Sequence, residues 1–282
     1  MDFLSEPREM SPTSVIKASK KEDRELITSL ARGLDVIKAL GDGSPSMALA
    51  EVARVTGLNP ATARRCLRTL EKLGYVGRDG KHFMLRPQVL ELAAAYLNST
   101  GIEKLCHVHL QDVVNQTGDS SSLCILDDND IVYLAHVPTR RVMRLEASVG
   151  TRYPAYATSM GRVLLAHRPT EALDRYLAET RVEALTARTV TDRRALRRLI
   201  LAARKDGYAA VEDELAYGVV AVAVPVFDTN GNCLAAVNCS AHSMEINKAN
   251  LVEARLPVLL EASRRITQSL RHFPALSRSM QV

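Results

Sequence analysis

One stretch limits the architecture of this chain more than any other: NPATARRCLRTLEKLGYVGRDGKHFMLR, residues 59–86. Asn59 is a good helix N-cap, and Pro60 occupies the first helical position, where its missing N–H costs nothing. At about 100° per residue, Ala63, Cys66, Leu67, Leu70 and Leu73 fall on one side of the helix. Ala61, Arg64, Arg65, Arg68 and Lys72 fall within a limited arc on the other side. Gly74 ends the helix, YVG reads as a strand, RDGK supplies an Asp-Gly turn, and HFML reads as the returning strand. The spacing thus predicts a helix with one packing face and one cationic face, followed by a basic hairpin.

Upstream, Leu26, Leu30, Leu34, Ile37 and Leu40 recur at helical spacing until GDGSP stops the pattern. A second short helix follows, with Ser46 as its cap and Leu49, Val52 and Ala53 as its inner face. Gly57 stands where a helix C-terminus favours a left-handed residue. Helix, turn, helix and hairpin is the order of a winged helix-turn-helix. The major groove of B-DNA accepts one α-helix whose first turns present side chains to base edges while flanking cations meet phosphates. Asn59, Ala61, Thr62, Arg64, Arg65, Arg68, Lys72, Arg78 and Lys81 are therefore the candidate DNA-binding residues. Short Ala61 and Thr62 permit close approach, Arg64 and Arg65 reach bases or phosphates, and Arg68 and Lys72 hold the backbone. Arg78 and Lys81 place the wing on an adjacent phosphate strand or minor groove. A solvated face is the plain reading of an isolated basic helix, but the order of the surrounding elements favours duplex DNA. The net charge of +5 is mild; what counts is the local excess, with only Glu71 and Asp79 opposing these cations.

A length of 282 residues gives a soft expectation of two domains. Residues 1–22 mix Ser, Pro, Lys and Glu without periodicity and read as a disordered arm. Cys66, Cys106, Cys124, Cys233 and Cys239 are odd in number and scattered, so neither a disulfide framework nor a zinc spacing is expected. His107 and His109, two residues apart, face different sides of a helix and do not form a metal pair. No segment offers the roughly 18 consecutive apolar residues of a membrane helix, and no signal peptide is apparent, so a cytoplasmic protein without a membrane partner is expected. Residues 87–100 read as a linker helix. Beyond it, SSLCILD and IVYLAHVP form a hairpin, with RRVMRLEASVG (140–150) as a third strand. Helices are expected at about 159–167, 170–177, 193–205 and 245–272, and the strands GVVAVAVPVFD and CLAAVNCSA flank the turn TNGN. The fold class is α+β: a mixed, mostly antiparallel sheet flanked by helices at 101–274, a winged helix-turn-helix at 23–86, and a tail at 275–282.

The segments RGLDVIKAL, LAEVARVTGLNPATARRCLRTLEKLGYV and, above all, VGTRYPAYATSMGRVLLA at 149–166 together resemble the IclR-type bacterial transcription regulators, from about residue 26 to 272. The form PAYATSMGRVLLA is similar to the branch that controls protocatechuate, 4-hydroxybenzoate and β-ketoadipate degradation, the PcaR, PcaU and PobR type. The resemblance implies a GAF-like effector-binding domain at 101–274, and a homodimer through the DNA-binding half and linker helix, commonly doubled to a dimer-of-dimers tetramer. It also implies an effector pocket bordered by Thr158, Ser159, Met160, Gly161, Val219 and Ala221, with Asn238 and Ser240 reaching in from the last strand. Ser159 and Met160 stand where other members carry small residues, which alters the shape and polarity of that pocket. Arg144 and Arg152 are attractive carboxylate partners, because a guanidinium fork matches a carboxylate. Either is equally readable as an exposed charge or an interface residue. Glu212, Asp213 and Glu214 read as a solvated loop before a strand, or as contacts to a polar ligand, in preference to catalytic acids.

Ser159, His136 and Asp213 can be assembled on paper into a hydrolase, but TSMGR lacks the GxSxG elbow and nothing fixes a base beside the serine. No enzyme, cofactor or metal is expected. A pure protein-interaction module would need exposed apolar surface without a small-molecule cavity. The expected function is a regulator that binds a double-stranded DNA operator and whose C-terminal domain takes a small carboxylate effector of the protocatechuate, 4-hydroxybenzoate or β-ketoadipate type. The alternative is a regulator of the same type serving another carbon-source pathway.

Overall fold

In the N-terminal part, helices α1 (Thr28–Leu40), α2 (Leu49–Thr56) and α3 (Pro60–Lys72) surround a core that includes Val36, Leu40, Val52, Leu67, Leu70 and Phe83. The computed structural model describes residues 26–41, 44–139, 147–228 and 230–271. The side chain of Asn59 accepts the Thr62 amide at 2.9 Å, satisfying a donor that the first helical turn leaves unpaired. Gly57, at φ +67°, ends α2 in the left-handed conformation. Strands β1 (Met47–Ala48), β2 (Val76–Asp79) and β3 (His82–Leu85) form an antiparallel sheet in the order β1-β3-β2. This is a winged helix-turn-helix.

Three sequence expectations change here. Ser46 does not cap α2: Met47 and Ala48 pair with Phe83 and His82, which holds the chain extended until Leu49 and leaves Ala48 at the N-cap. Leu73 lies beyond the last turn of α3 and is 59% exposed instead of packing with Leu67 and Leu70. In α1 the buried residues are Val36, Ala39 and Leu40, while Leu30 and Leu34 stand exposed, and Leu26 is exposed ahead of the helix, which starts at Thr28.

A 3-10 turn (Pro87–Val89) leads into α4 (Leu90–Thr100), and the division into two compact units falls within that helix, after Tyr96. The second unit contains α5 (Ile102–Thr117), β4 (Ser120–Asp127), β5 (Asp130–Val137), β6 (Arg152–Pro154), α6 (Ser159–Ala166), α7 (Thr170–Glu179), α8 (Arg193–Asp206), β7 (Ala209–Glu212), β8 (Val219–Phe227), β9 (Cys233–His242) and α9 (Lys248–Leu270). Its strands run in the order β6-β5-β4-β9-β8-β7, and the sheet expected to be mostly antiparallel is antiparallel at every pairing among the described residues. The partner of β5 is Arg152–Pro154. Of the strand expected at 140–150, residues 140–146 lie outside the described residues, and 149–150 form a turn, with Gly150 at φ +87°. Strand β7 had no counterpart among the expected elements.

Both faces of this sheet are covered, which is why its strands are nearly continuous apolar runs. Val220, Val222, Val224, Val237 and Cys239 pack with Cys106 and Leu110 of α5 and Leu259 and Ile266 of α9. Cys124, Tyr133, Ala223 and Ala236 on the other face pack with Met160 and Leu164 of α6 and Leu196 and Ile200 of α8. No helix of the described residues is long and apolar enough to cross a membrane.

The first turn of α6 lies directly against the preceding 3-10 turn (Ala155–Ala157): a Cβ on Gly161 would sit 2.2 Å from the Ala155 carbonyl oxygen. A backbone atom cannot yield as a flexible side chain does. Gly161→Ala is expected to cost about 1–3 kcal/mol, the usual range for overpacking. The check is the thermal unfolding midpoint of the full chain, and an unchanged midpoint would show that this contact relaxes freely.

Candidate nucleic-acid interface and ligand site

The cationic face of α3 follows from its packing. With Ala63, Leu67 and Leu70 turned inward, Arg64, Arg65, Arg68 and Lys72 are exposed, and their side chains have no acidic partner among the described residues. Ala61 is exposed beside them and Thr62 is half-buried, so the helix start carries no long side chain ahead of the arginines. Asn59 is exposed but its oxygen is taken up by the cap, which makes it a residue that sets the start of the helix. On the hairpin, Arg78 is held: its Nε donates to the Gly80 carbonyl at 2.8 Å, and its guanidinium lies 5.7 Å from the Phe83 ring centroid. Lys81 is exposed at the turn, where Gly80 has φ +56°. A held cation beside an exposed one on the hairpin suits a polyanionic backbone.

In the second unit, Thr158 caps α6, its Oγ1 accepting the Gly161 amide at 3.0 Å. Ser159 and Met160 follow, 2% and 1% exposed. Their amides are among the donors that a helix start leaves without intrahelical acceptors, and the Ser159 hydroxyl has no hydrogen-bond partner among the described residues. Beneath α6, the registers align Ala223 with Asn238, Asn238 with Ser122, and Ser122 with His136. The neighbouring row runs Ala221, Ser240, Ser120. Asn238 Oδ1 accepts the Ser122 amide at 2.9 Å, and Ser122 Oγ lies 2.9 Å from His136 Nδ1. A row of polar groups thus crosses the sheet on the face that carries α6.

The structure brings Thr158, Ser159, Met160, Gly161, Ala221, Asn238 and Ser240 to one face, with half-buried Val219 at its margin on the same side of β8 as Ala221. Met160 packs within the apolar cluster. Arg152 is elsewhere, on edge strand β6 and 43% exposed, bound by Asp127 and Asp130. Burial opposes its charge, but those two carboxylates outweigh that effect and raise its pKa above the ordinary guanidinium value. Arg144 lies outside the described residues.

Sequence reading passed over Ser120 and Ser122, and it considered His136 only as a catalytic base. The signal was present in SSSLCILD, whose alternate serines fall on one face of an otherwise apolar strand. It also missed the ion pair of Arg162 with Glu214. Arg162 is 3% exposed and Glu214 7%, so Glu214 is not part of a solvated loop. Arg162 Nη1 donates to Glu214 Oε1 at 2.9 Å, Nη2 donates to Oε2, and Nε donates to the Tyr156 carbonyl at 3.0 Å. An arginine inside the buried helix SMGRVLLA demands a buried acid.

These groups do not form a hydrolase. His136 is engaged by Ser122, and Asp213 Oδ1 accepts the Gly218 amide and the Ser243 hydroxyl, each at 2.8 Å. Burial pushes the thiols of Cys106, Cys233 and Cys239 up to about 12, and that of Cys124 well above its usual value, so none is a thiolate nucleophile. Among the described residues no group of three or more His, Cys, Asp or Glu is placed to hold a metal ion. His107 is exposed, and His109 lies 3.2 Å from Ser269 Oγ, its pKa lowered chiefly by burial.

Comparison with known proteins bears on both units. Residues 29–80 match the family described as the IclR helix-turn-helix domain, and residues 94–268 match the bacterial transcriptional regulator IclR C-terminal family. A Pca regulon regulatory protein of Pseudomonas putida is 38% identical over 95% of this chain and 92% of its own length. A p-hydroxybenzoate hydroxylase transcriptional activator of Acinetobacter baylyi is 32% identical over 83% of this chain and 89% of its own. The crystal structure of an IclR homolog complexed with 4-hydroxybenzoate, from Microbacterium hydrocarbonoxydans, superposes with a TM-score of 0.74 at 25% identity, covering 86% of this chain and 99% of that one. These are transcription regulators, not enzymes.

Arg65→Ala is expected to weaken binding to the cognate operator by about 1–3 kcal/mol and to relax base preference at one position. Lys72→Ala should weaken all duplexes alike and lower the salt slope by about one. Fluorescence anisotropy across a salt series checks both, and operator affinity unchanged by Arg65→Ala at physiological salt would remove α3 from the groove.

Proposed function

The chain belongs to the IclR family of bacterial transcription regulators, DNA-binding proteins with a C-terminal effector domain, and we propose that its effector is a small aromatic carboxylate whose catabolic genes it controls. The observation that carries this reading is the polar row Asn238–Ser122–His136, buried at its first two members and half-buried at the third, facing the start of α6. A hydroxyl-bearing aromatic acid has both kinds of group such a site serves. Its carboxylate suits the open amides of Ser159 and Met160 at a helix N-terminus, and its hydroxyl suits the serine, histidine and asparagine side chains. Its ring fits the small Ala221 and Ala223 between them. The names of the Pseudomonas and Acinetobacter relatives and the 4-hydroxybenzoate held by the Microbacterium homolog support the same chemistry.

The DNA-binding half supports a homodimer. Leu30 and Leu34 lie one turn apart on α1 and are 60% and 44% exposed, Leu26 just ahead of that helix is 46% exposed, and Leu90 of α4 is 69% exposed. Apolar stripes at helical spacing cost least when a second copy covers them. Two recognition helices on one dimer would read repeated half-sites, and two such dimers would make the tetramer. The effector acts by population shift: its contacts differ between two arrangements of the linked subunits, which changes the spacing of the α3 helices on the operator.

Calorimetric titration of the full chain with 4-hydroxybenzoate, protocatechuate and β-ketoadipate is expected to show binding by at least one of them, abolished by Ser159→Leu without loss of operator affinity. A flat titration with all of them would move the chain to another carbon-source pathway, and an undiminished response in Ser159→Leu would displace the pocket. Leu30→Glu is expected to shift sedimentation of the protein toward the monomer and to lower operator affinity at least tenfold. A dimer unaffected by this charge would refute the role given to α1.

A further inference from the structure

At the far end of α6 from Ser159, a cleft of about 470 Å³ opens between the last turn of that helix, the start of α7, the end of α8 and the turn joining β8 to β9. Its floor is apolar: Leu126, Leu164 and Leu234 are each at most 8% exposed and reach its surface. Its rim is cationic, with Arg168 and Arg204 adjacent, Arg204 Nη2 donating to the Arg168 carbonyl at 3.5 Å. The half-buried Arg168 guanidinium has no acidic partner among the described residues, and no acid lines the cleft. The nearest acids face other partners or lie outside the lining. The Asp228 carboxylate accepts the amides of Asn230 and Asn232 and the Asn232 side chain, and Glu171 of α7 is not part of the wall. Pro169 of the same wall is the N-cap of α7 and supplies no side-chain cap. His167 Nδ1 donates to the Val163 carbonyl at 2.9 Å, which fixes the ring at the edge of the cleft.

Two guanidinium groups without an acidic partner among the described residues, beside three leucines in one concavity, are the complement of a small anion with an apolar body. A flat basic surface would suit a phosphate backbone; this one is an open cleft with room for a single small molecule. We propose that the cleft is a second ligand site of the C-terminal unit. It takes a small aryl carboxylate, with the carboxylate between Arg168 and Arg204 and the ring on Leu126, Leu164 and Leu234. It is separate from the pocket at Ser159.

Equilibrium dialysis of the full chain against radiolabelled benzoate, with inorganic phosphate as a competitor, tests this. The wild type is expected to bind two benzoates per chain, Arg168→Ala/Arg204→Ala one, with affinity at the lost site reduced at least tenfold, and Ser159→Leu one. Should the Ser159 pocket reading be the one that fails, the wild type binds one benzoate and the double arginine variant none. Stoichiometry unchanged in the arginine variant overturns the second site, as does displacement of its benzoate by equimolar phosphate, because charge alone would then account for binding. Crystals of the wild type soaked in 4-bromobenzoate provide a check independent of variant folding. A bromine anomalous peak over Leu126 and Leu164 supports the site, and its absence at millimolar soak counts against it.

Discussion

The C-terminal unit depends on the burial of one ion pair. Arg162 and Glu214 lose nearly all their hydration, a cost of several kcal/mol per ion that close approach offsets only when the remaining donors and acceptors are also satisfied. Here they are: the fork of Arg162 covers both Glu214 oxygens and the Tyr156 carbonyl, and the Val190 amide points at Glu214 Oε2 at 3.4 Å. The segments after β7 and before α8 are held in turn by Thr186 and Thr189, whose hydroxyls donate to the carbonyls of Asp213 and Glu214. One side chain of α6 therefore sets the position of the 3-10 turn before it and of two loops remote in sequence. The orientation of α6 above the sheet, and with it the placement of Ser159 and Met160, is a consequence of this pair.

The features most legible in the sequence were those governed by local rules. Asn59 and Pro60 announce the start of α3 because capping is decided within three residues, and Gly57 and Gly80 announce their turns because their backbone angles suit few other residues. The face of α3 that packs was readable from periodicity, except at Leu73, where the helix had already ended. What escaped were pairings between distant segments. Nothing near Met47 says that it will join Phe83 in a sheet, and that single pairing moved the start of α2. Strand β6 escaped for a related reason: three residues after the turn at Gly150 are too few to read as a strand, and only their pairing with Asp130–Val132 makes them one.

The proposed ligand site divides along the same physical line. Thr158 to Gly161 come together because the segment that starts α6 is continuous. The polar row across the sheet is assembled by register from strands more than a hundred residues apart, as in the Ser122–Asn238 contact. A register of that kind is not written in either strand alone. Glu214 was read as solvated because acidic runs in loops usually are; only its partner, an arginine in an otherwise apolar helix, reveals that it is not.

Basic amphipathic helices occur in both units, and their contrast shows why composition does not by itself identify a groove-binding element. Helix α8 carries Arg193, Arg194, Arg197, Arg198, Arg204 and Lys205, more cations than α3. Yet Arg193 donates to the Thr180 carbonyl and Arg197 is paired with Asp174, so part of its charge works inside its own unit. Its first positions are arginines, whose length would hold the helix start away from base edges. In α3 the leading residues are Pro60, Ala61 and Thr62, the cations begin one turn later, and none is neutralised by a described neighbour. Groove entry requires a thin leading end and charge left available, and of these two helices only α3 meets both conditions.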